Sequence, residues 1–138
     1  MDRAFDCAMK NSIIVRVVPL AKMRYATLGD WRRDRLGRLI IEVAEGHPAG
    51  FKAAIAVAIH EITEVLLCEE RGISDAVVTK WDKAHPKANE PGEIRGAPYF
   101  KEHAAASAVE REFVKRVGLG DFDAYNKGWD YVWEKDHG

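Results

Sequence analysis

The sequence predicts an α+β fold: a small three-stranded antiparallel sheet packed on a long central motif helix and a second long helix, with an aromatic C-terminal helix. Three observations lead there. β-Branched residues gather in short runs within the first third of the chain. A stretch rich in Ala, Ile and Leu then runs for about 20 residues without an internal Gly or Pro. Two further helical patterns follow, set apart by a stretch dense in Pro and Gly. Strands first and helices afterwards is the arrangement of an α+β domain.

The sheet is expected over residues 12–45, from strands at 12–19 (SIIVRVVP), 23–32 (MRYATLGDWR) and 38–44 (RLIIEVA). Gly37, in RDRLGR, suits a hairpin turn, so an antiparallel sheet with one packed face is the natural arrangement. The motif helix is expected over 50–72, preceded by Pro48 and closed by Gly72. Phe51, Ile55, Ile59, Ile62, Val65 and Leu66 supply most of its apolar surface, with alanines on other sides, which puts it in the middle of the domain. Ser74 can cap a shorter helix over 74–83. Residues 84–98 hold three prolines and two glycines and read as a long surface loop, of the kind that forms lids or binding edges. The second long helix covers 99–117, opened by Pro98 and stopped by Gly118. In 121–135, Phe122, Tyr125, Trp129 and Val132 form a helical stripe despite Gly128. Its ordinary role is to dock on the core; the alternative is a stacking platform for bases or a groove for an aromatic partner.

Residues 1–138 together read as a single domain, because 47% hydrophobic and 31% charged residues with a net charge of -1 is a globular profile. Cys7 and Cys68 sit in unlike settings and make no disulfide framework; Cys68, in the apolar run, is expected as a buried, reduced thiol. The N-terminal MDRAFDCAMKNS lacks the continuous apolar stretch of a secretory signal, and no span approaches the roughly 20 apolar residues that cross a bilayer. A cytoplasmic protein without a membrane partner is the expectation. Basic and acidic residues balance, 21 against 22, so nucleic acid is not an expected partner. The local cluster Arg32, Arg33, Arg35 and Arg38 decorates the hairpin.

Chemistry concentrates in IHEITEVLLCE, where His60, Glu61 and Glu64 interrupt the most apolar stretch of the chain. On a helix, His60 and Glu64 share one face with Cβ atoms about 5–6 Å apart and can converge on one ion. Imidazole nitrogen and carboxylate oxygen both bind Zn²⁺, or another divalent metal, and a rigid helix holds two such ligands without much further ordering. A third ligand is expected from His103, which is followed by Ala104, Ala105, Ala106, Ser107 and Ala108, small residues that allow a close helix approach. Glu110 lies two turns further, about 10 Å by helix rise, and so suits a supporting role or a pairing with arginine. Asp82, His85 and Glu110 are reserve ligands. The plainer alternative is a buried network of polar side chains. It must hide His60, Glu61 and Glu64 together, although an unpaired buried carboxylate costs several kcal/mol.

His60-Glu61-Ile62-Thr63-Glu64 resembles the HExxH helix of zincin metallopeptidases, and the order of strands, motif helix and later helix is similar to their minimal core over residues 12–115. The chain also resembles small phage and prophage proteins with an HExxE helix and a downstream PYxxxH segment, here Pro98-Tyr99-Phe100-Lys101-Glu102-His103. It departs from zincins in carrying Glu64 at the second histidine position and His103 where a carboxylate would come from the later helix. The resemblance implies a zinc-dependent metallopeptidase-like hydrolase in a bacterial or phage-infected cell. His60, Glu64 and His103 would hold the metal, Glu61 would be the catalytic general base, and a peptide or protein substrate would align on a strand edge. Two alternatives stay open. One is a non-enzymatic phage-type accessory protein whose metal or polar cluster only joins two helices, with a fourth ligand from Asp82, His85 or Glu110. The other is a Mg²⁺-dependent nucleotide pyrophosphohydrolase built on Glu61, Glu64 and Glu110 or Asp82. The aromatic tail also offers a surface for a second copy of the chain, a homo-oligomer.

Overall fold

A computed structural model describes residues 11–137. Cys7 and the N-terminal segment weighed as a signal lie outside the described residues. The fold is α+β. Strands β1 (Ile13–Val18), β2 (Gly29–Arg33) and β3 (Leu39–Ala44) come first. Helices α1 (Phe51–Glu70), α2 (Asp75–Ala84), α3 (Phe100–Arg116) and α4 (Phe122–His137) follow. Short 3-10 turns occupy Leu20–Lys22 and Pro91–Glu93.

The sheet is mixed, which corrects the antiparallel expectation. Its order is β1-β3-β2, with β2 antiparallel and β1 parallel to the central β3. The hairpin explains the antiparallel half. Gly37, at φ 80, lets the chain reverse, and the Asp34 carboxylate accepts from the backbone N–H of Leu36 and Arg38, both at 2.9 Å. No such turn joins β1 to β2. The intervening residues instead bend through Leu20–Lys22 and tuck Leu20, Met23 and Leu28 into the core, so β2 starts at Gly29 rather than at 23. β1 then takes the free side of β3.

Every residue of β3 is buried, and Ile41 and Val43 are completely so. Each such side chain contributes about 1.5–3 kcal/mol relative to exposure. α1 packs on this sheet over β3 and β2, and most extensively on α3. Its buried side is not the row of large apolar residues that the sequence suggests. Phe51 is 69% exposed and Leu66 59%, while Ala53, Ala54, Ala56, Ala58, His60, Glu61, Glu64 and Val65 face inward. Alanines make that sense physically: they let α3 and the sheet come close, so the polar side chains between them meet.

The helical stripe of α4 docks on the core. Tyr125, Trp129, Val132 and Trp133 are buried in the same cluster as the sheet and α1. Gly128 serves a close approach, since a Cβ there would stand 2.2 Å from Nε2 of His47. That ring donates to the Tyr125 carbonyl at 2.8 Å and accepts from Ala49 N–H at 3.0 Å. Ser74 caps α2 as expected, accepting from Val77 N–H. Three of the four hairpin arginines are paired: Arg32 with Glu42, Arg33 with Glu69 and Arg38 with Asp34. Cys68 is a free, buried thiol that burial pushes up to about 12. Among the described residues, no helix is long and apolar enough to cross a membrane.

Candidate metal centre

α1 and α3 bring His60, Glu64 and His103 together in the interior, at 5%, 4% and 7% exposure. The motif helix supplies the first two one turn apart, and α3 supplies the third; of the small residues after His103 only Ala106 is buried, while Ala104, Ala105 and Ala108 face solvent and do not serve the close approach expected of them. Three atoms form a triangle. His60 Nε2 lies 3.1 Å from Glu64 Oε2 and 3.2 Å from His103 Nδ1, and His103 Nδ1 lies 3.0 Å from Glu64 Oε2.

Protons cannot satisfy this triangle while Glu64 is ionised. If both imidazoles donate to Glu64, their two N–H groups confront each other. If His60 donates to His103, the bare Nδ1 lone pair of His103 faces the carboxylate. One side is always repulsive. A cation at the centre meets all three lone pairs at once. For bonds of about 2.0 Å, tetrahedral ligands stand about 3.3 Å apart, so the triangle needs to open by only about 0.1–0.3 Å. The donor set, two nitrogens and one carboxylate, fits a buried divalent metal.

Neighbouring groups fix the orientation of His60 and Glu64. Glu110 Oε1 accepts from His60 Nδ1 at 2.9 Å, and Glu110 Oε2 accepts from the Tyr125 hydroxyl at 2.5 Å. Trp31 Nε1 donates to Glu64 Oε1 at 3.0 Å. A carboxylate on the far nitrogen of a metal-binding histidine sets its tautomer and raises its basicity. Burial lowers the His60 pKa, but hydrogen bonds to Glu110 and Glu64 outweigh it and hold the ring well above its usual value. Burial raises Glu64, but hydrogen bonds from His103 and His60 outweigh it and hold the carboxyl at about 2.

Glu61 stands apart from the three. It is buried, finds no hydrogen-bond partner among the described residues, and lines the same cavity. Burial, and next the charge of Glu64, push it well above the usual carboxylate range. Gly29 of β2 makes room for it, since a Cβ there would stand 2.5 Å from Glu61 Oε1.

The cavity holds about 70 Å³ and is lined by the triad, Glu61, Asp82, Tyr99, Trp129, Pro91 and Gly92. It takes an ion and a few waters. The segment read as a surface loop closes over it, with Pro91, Gly92 and Ala97 buried. Gly92 lies against the ligand itself, because a Cβ there would stand 2.5 Å from Cγ of His103. Glu90, in the same segment, is driven up to about 8 by burial and then by Glu93.

The reserve ligands fall elsewhere. Asp82 lines the cavity but accepts from the Tyr25 hydroxyl at 2.7 Å and from that of Tyr99; burial pushes it to about 6 against those bonds. His85 stacks on Trp81 with centroids 4.1 Å apart and donates from Nδ1 to the Trp81 carbonyl, outside the cavity lining. Glu110 bonds His60, with no arginine on it. Sequence reasoning missed Trp31, Tyr125 and Glu90. For Tyr125 a signal existed, since a buried tyrosine needs a partner for its hydroxyl. For Trp31 and Glu90 there was none, because each meets the site only through tertiary contacts. No protein-family model, no curated protein and no solved structure matches the chain.

Proposed function

We propose that the protein is a zinc-dependent, metallopeptidase-like hydrolase in which His60, Glu64 and His103 hold the ion and Glu61 moves the proton. The observation that carries this reading is the triangle of lone-pair atoms at 3.0–3.2 Å, which a cation reconciles and protons do not. The resemblance of His60-Glu61-Ile62-Thr63-Glu64 to the zincin motif supports it. Zinc in such a site supplies Lewis acidity and lowers the pKa of a coordinated water toward about 7. The chain's own residues do the rest. Glu61 lines the cavity without a competing hydrogen bond, so its carboxylate is free to accept a proton there and to deliver it to the leaving amine. Glu110 and Trp31 hold His60 and Glu64 in register. The buried turn at Pro91–Glu93 keeps bulk water out. At about 70 Å³ the cavity accepts the reacting amide and little more, so a peptide substrate requires the 85–99 segment to move aside.

The deep burial of the ligands favours a second reading, an accessory protein whose metal only ties α1 to α3. A structural zinc site fills its fourth position with protein. Asp82, His85 and Glu110 all stand outside the ligand group, and that supports the hydrolase. Two imidazoles in the donor set count against magnesium and pyrophosphate chemistry.

Elemental analysis of protein purified without chelator tests the reading, together with amide-hydrolysis assays. The expected result is one tightly held zinc per chain, lost in His60→Ala and His103→Ala and kept in Glu61→Gln, with hydrolysis abolished in all three. Zinc without hydrolysis moves the assignment to the accessory protein. Absence of zinc in the folded wild type rejects both.

A further inference from the structure

His103 uses only one of its nitrogens in the triangle. Its side chain is 9% exposed, yet Nε2 is buried and has no hydrogen-bond partner among the described residues. Leaving such a group unmet costs about 1–3 kcal/mol. Two carboxyls face it. Glu90 Oε1 lies 3.8 Å from Nε2, and Glu90, Glu93 and His103 each offer a donor atom within 4.8 Å of the others. A separation of 3.8 Å is too long for a hydrogen bond and about 0.4 Å beyond the roughly 3.4 Å between tetrahedral ligands at about 2.1 Å, so a shared ion draws the turn and the ring together by that much.

The local chain is built to hold this arrangement. Glu90 precedes and Glu93 ends one 3-10 turn, closed by Glu93 N–H on the Glu90 carbonyl at 3.0 Å and anchored by Trp81 Nε1 on the Pro91 carbonyl at 2.9 Å. Gly92, between them, has no side chain, and only that lets the turn rest on the imidazole. An open groove of about 430 Å³, lined by Gly92, Glu93, Phe100, Ser107 and Arg111, reaches His103 from outside.

We propose that His103 bridges two divalent cations, the inner one in the triangle and an outer one held by Nε2, Glu90 and Glu93. This rests on the reading of the inner site. The outer ion takes the place of the Nε2 proton, which leaves to solvent, so the ring becomes an imidazolate shared between two metals. The outer site has one nitrogen and two oxygens at the rim, where water completes the shell. It therefore binds more weakly than the inner site and exchanges through the groove.

The test is a zinc titration of protein first stripped with chelator, followed by calorimetry in two buffers of different ionisation enthalpy and by elemental analysis after dialysis. The expected result is two zinc ions per chain, the second weaker and accompanied by proton release. Glu90→Gln and Glu93→Gln lose the second ion and keep the first. His60→Ala loses the tight ion and keeps one that Glu93→Gln then removes; circular dichroism checks that each variant is folded. One zinc in the wild type, unchanged in Glu93→Gln, overturns the outer site and leaves the inner one standing. One zinc that either Gln variant weakens also overturns it, and makes those carboxyls orienting groups for His103. No zinc at all overturns the inner site, and with it the bridge.

Discussion

Glu110→Gln is the sharpest perturbation of the centre, because it keeps shape and removes charge. Glu110 is 6% exposed and spans His60 Nδ1 at 2.9 Å and the Tyr125 hydroxyl at 2.5 Å. A glutamine can still accept from Nδ1, so the ring stays oriented. It no longer stabilises positive charge on the imidazole or raises its basicity. Replacing such an orienting carboxylate lowers metal affinity by about 10–100-fold. At about 1.4 kcal/mol per decade, this is a loss of about 1.4–2.8 kcal/mol of zinc binding. In the metal-free protein, His60 is held as the cation by Glu110 and Glu64 together. Loss of one charge-assisted bond there costs about 1.5–3 kcal/mol of stability. Zinc affinity is measured by competition with a chromophoric chelator, and stability by calorimetry of chelator-treated protein. Glu112→Gln is the control, since Glu112 pairs with Arg116 on the surface. If Glu110→Gln folds and binds zinc as tightly as the wild type, His60 is not a ligand held from behind, and the account of the centre fails.

Three further outcomes follow from the same geometry. Gly92→Ala places a methyl group 2.5 Å from Cγ of His103, so zinc affinity drops and stability falls by about 1–3 kcal/mol, the range for overpacking, as read by titration and thermal unfolding. In Gly128→Ala the helix gains about 1 kcal/mol of propensity, yet a Cβ at 2.2 Å from the His47 ring makes the variant less stable, and a raised melting temperature would contradict the packing of α4. Burial raises Asp82 from 3.8 to about 6, so the folded state holds this proton more tightly than the unfolded chain does. Its contribution is fully present below pH 4 and is lost as pH rises to about 6, a change of about 3 kcal/mol. Asp82→Asn in chelator-treated protein is therefore more stable than the wild type at pH 8 and loses that advantage at pH 4, as denaturant titrations at the two pH values show.

The motif helix and its partner were legible because local chemistry marks them. Pro48 and Gly72 bracket α1, and the spacing of His60 and Glu64 places both on one face whatever surrounds them. The small residues after His103 point mostly to solvent, and only Ala106 among them is buried, so the close approach rests on the buried alanines of α1 instead. Strand pairing was less legible, since β1 reads the same whether its neighbour runs parallel or antiparallel. Residues 23–28 carry a strand-like composition yet spend it on turns that bury Met23 and Leu28. The inward face of α1 was misjudged for a related reason. Size and hydrophobicity point to Phe51 and Leu66, whereas the interior here is set by what fits between closely packed helices. Glu110 illustrates the limit of arithmetic along one helix. Its distance from His103 leaves it outside the group of His60, Glu64 and His103, but only the facing helix shows that it meets the other nitrogen of His60.

The ligands come from chain positions 39 residues apart, Glu64 and His103. A cation shared by them is a staple across that span, comparable in effect to a covalent bridge closing the same loop, worth about 4 kcal/mol in the chain-entropy picture. Such a staple would differ from a disulfide in being removable: its grip would follow cation supply rather than redox state, so the pairing of the two longest helices would tighten or slacken with the metal at hand.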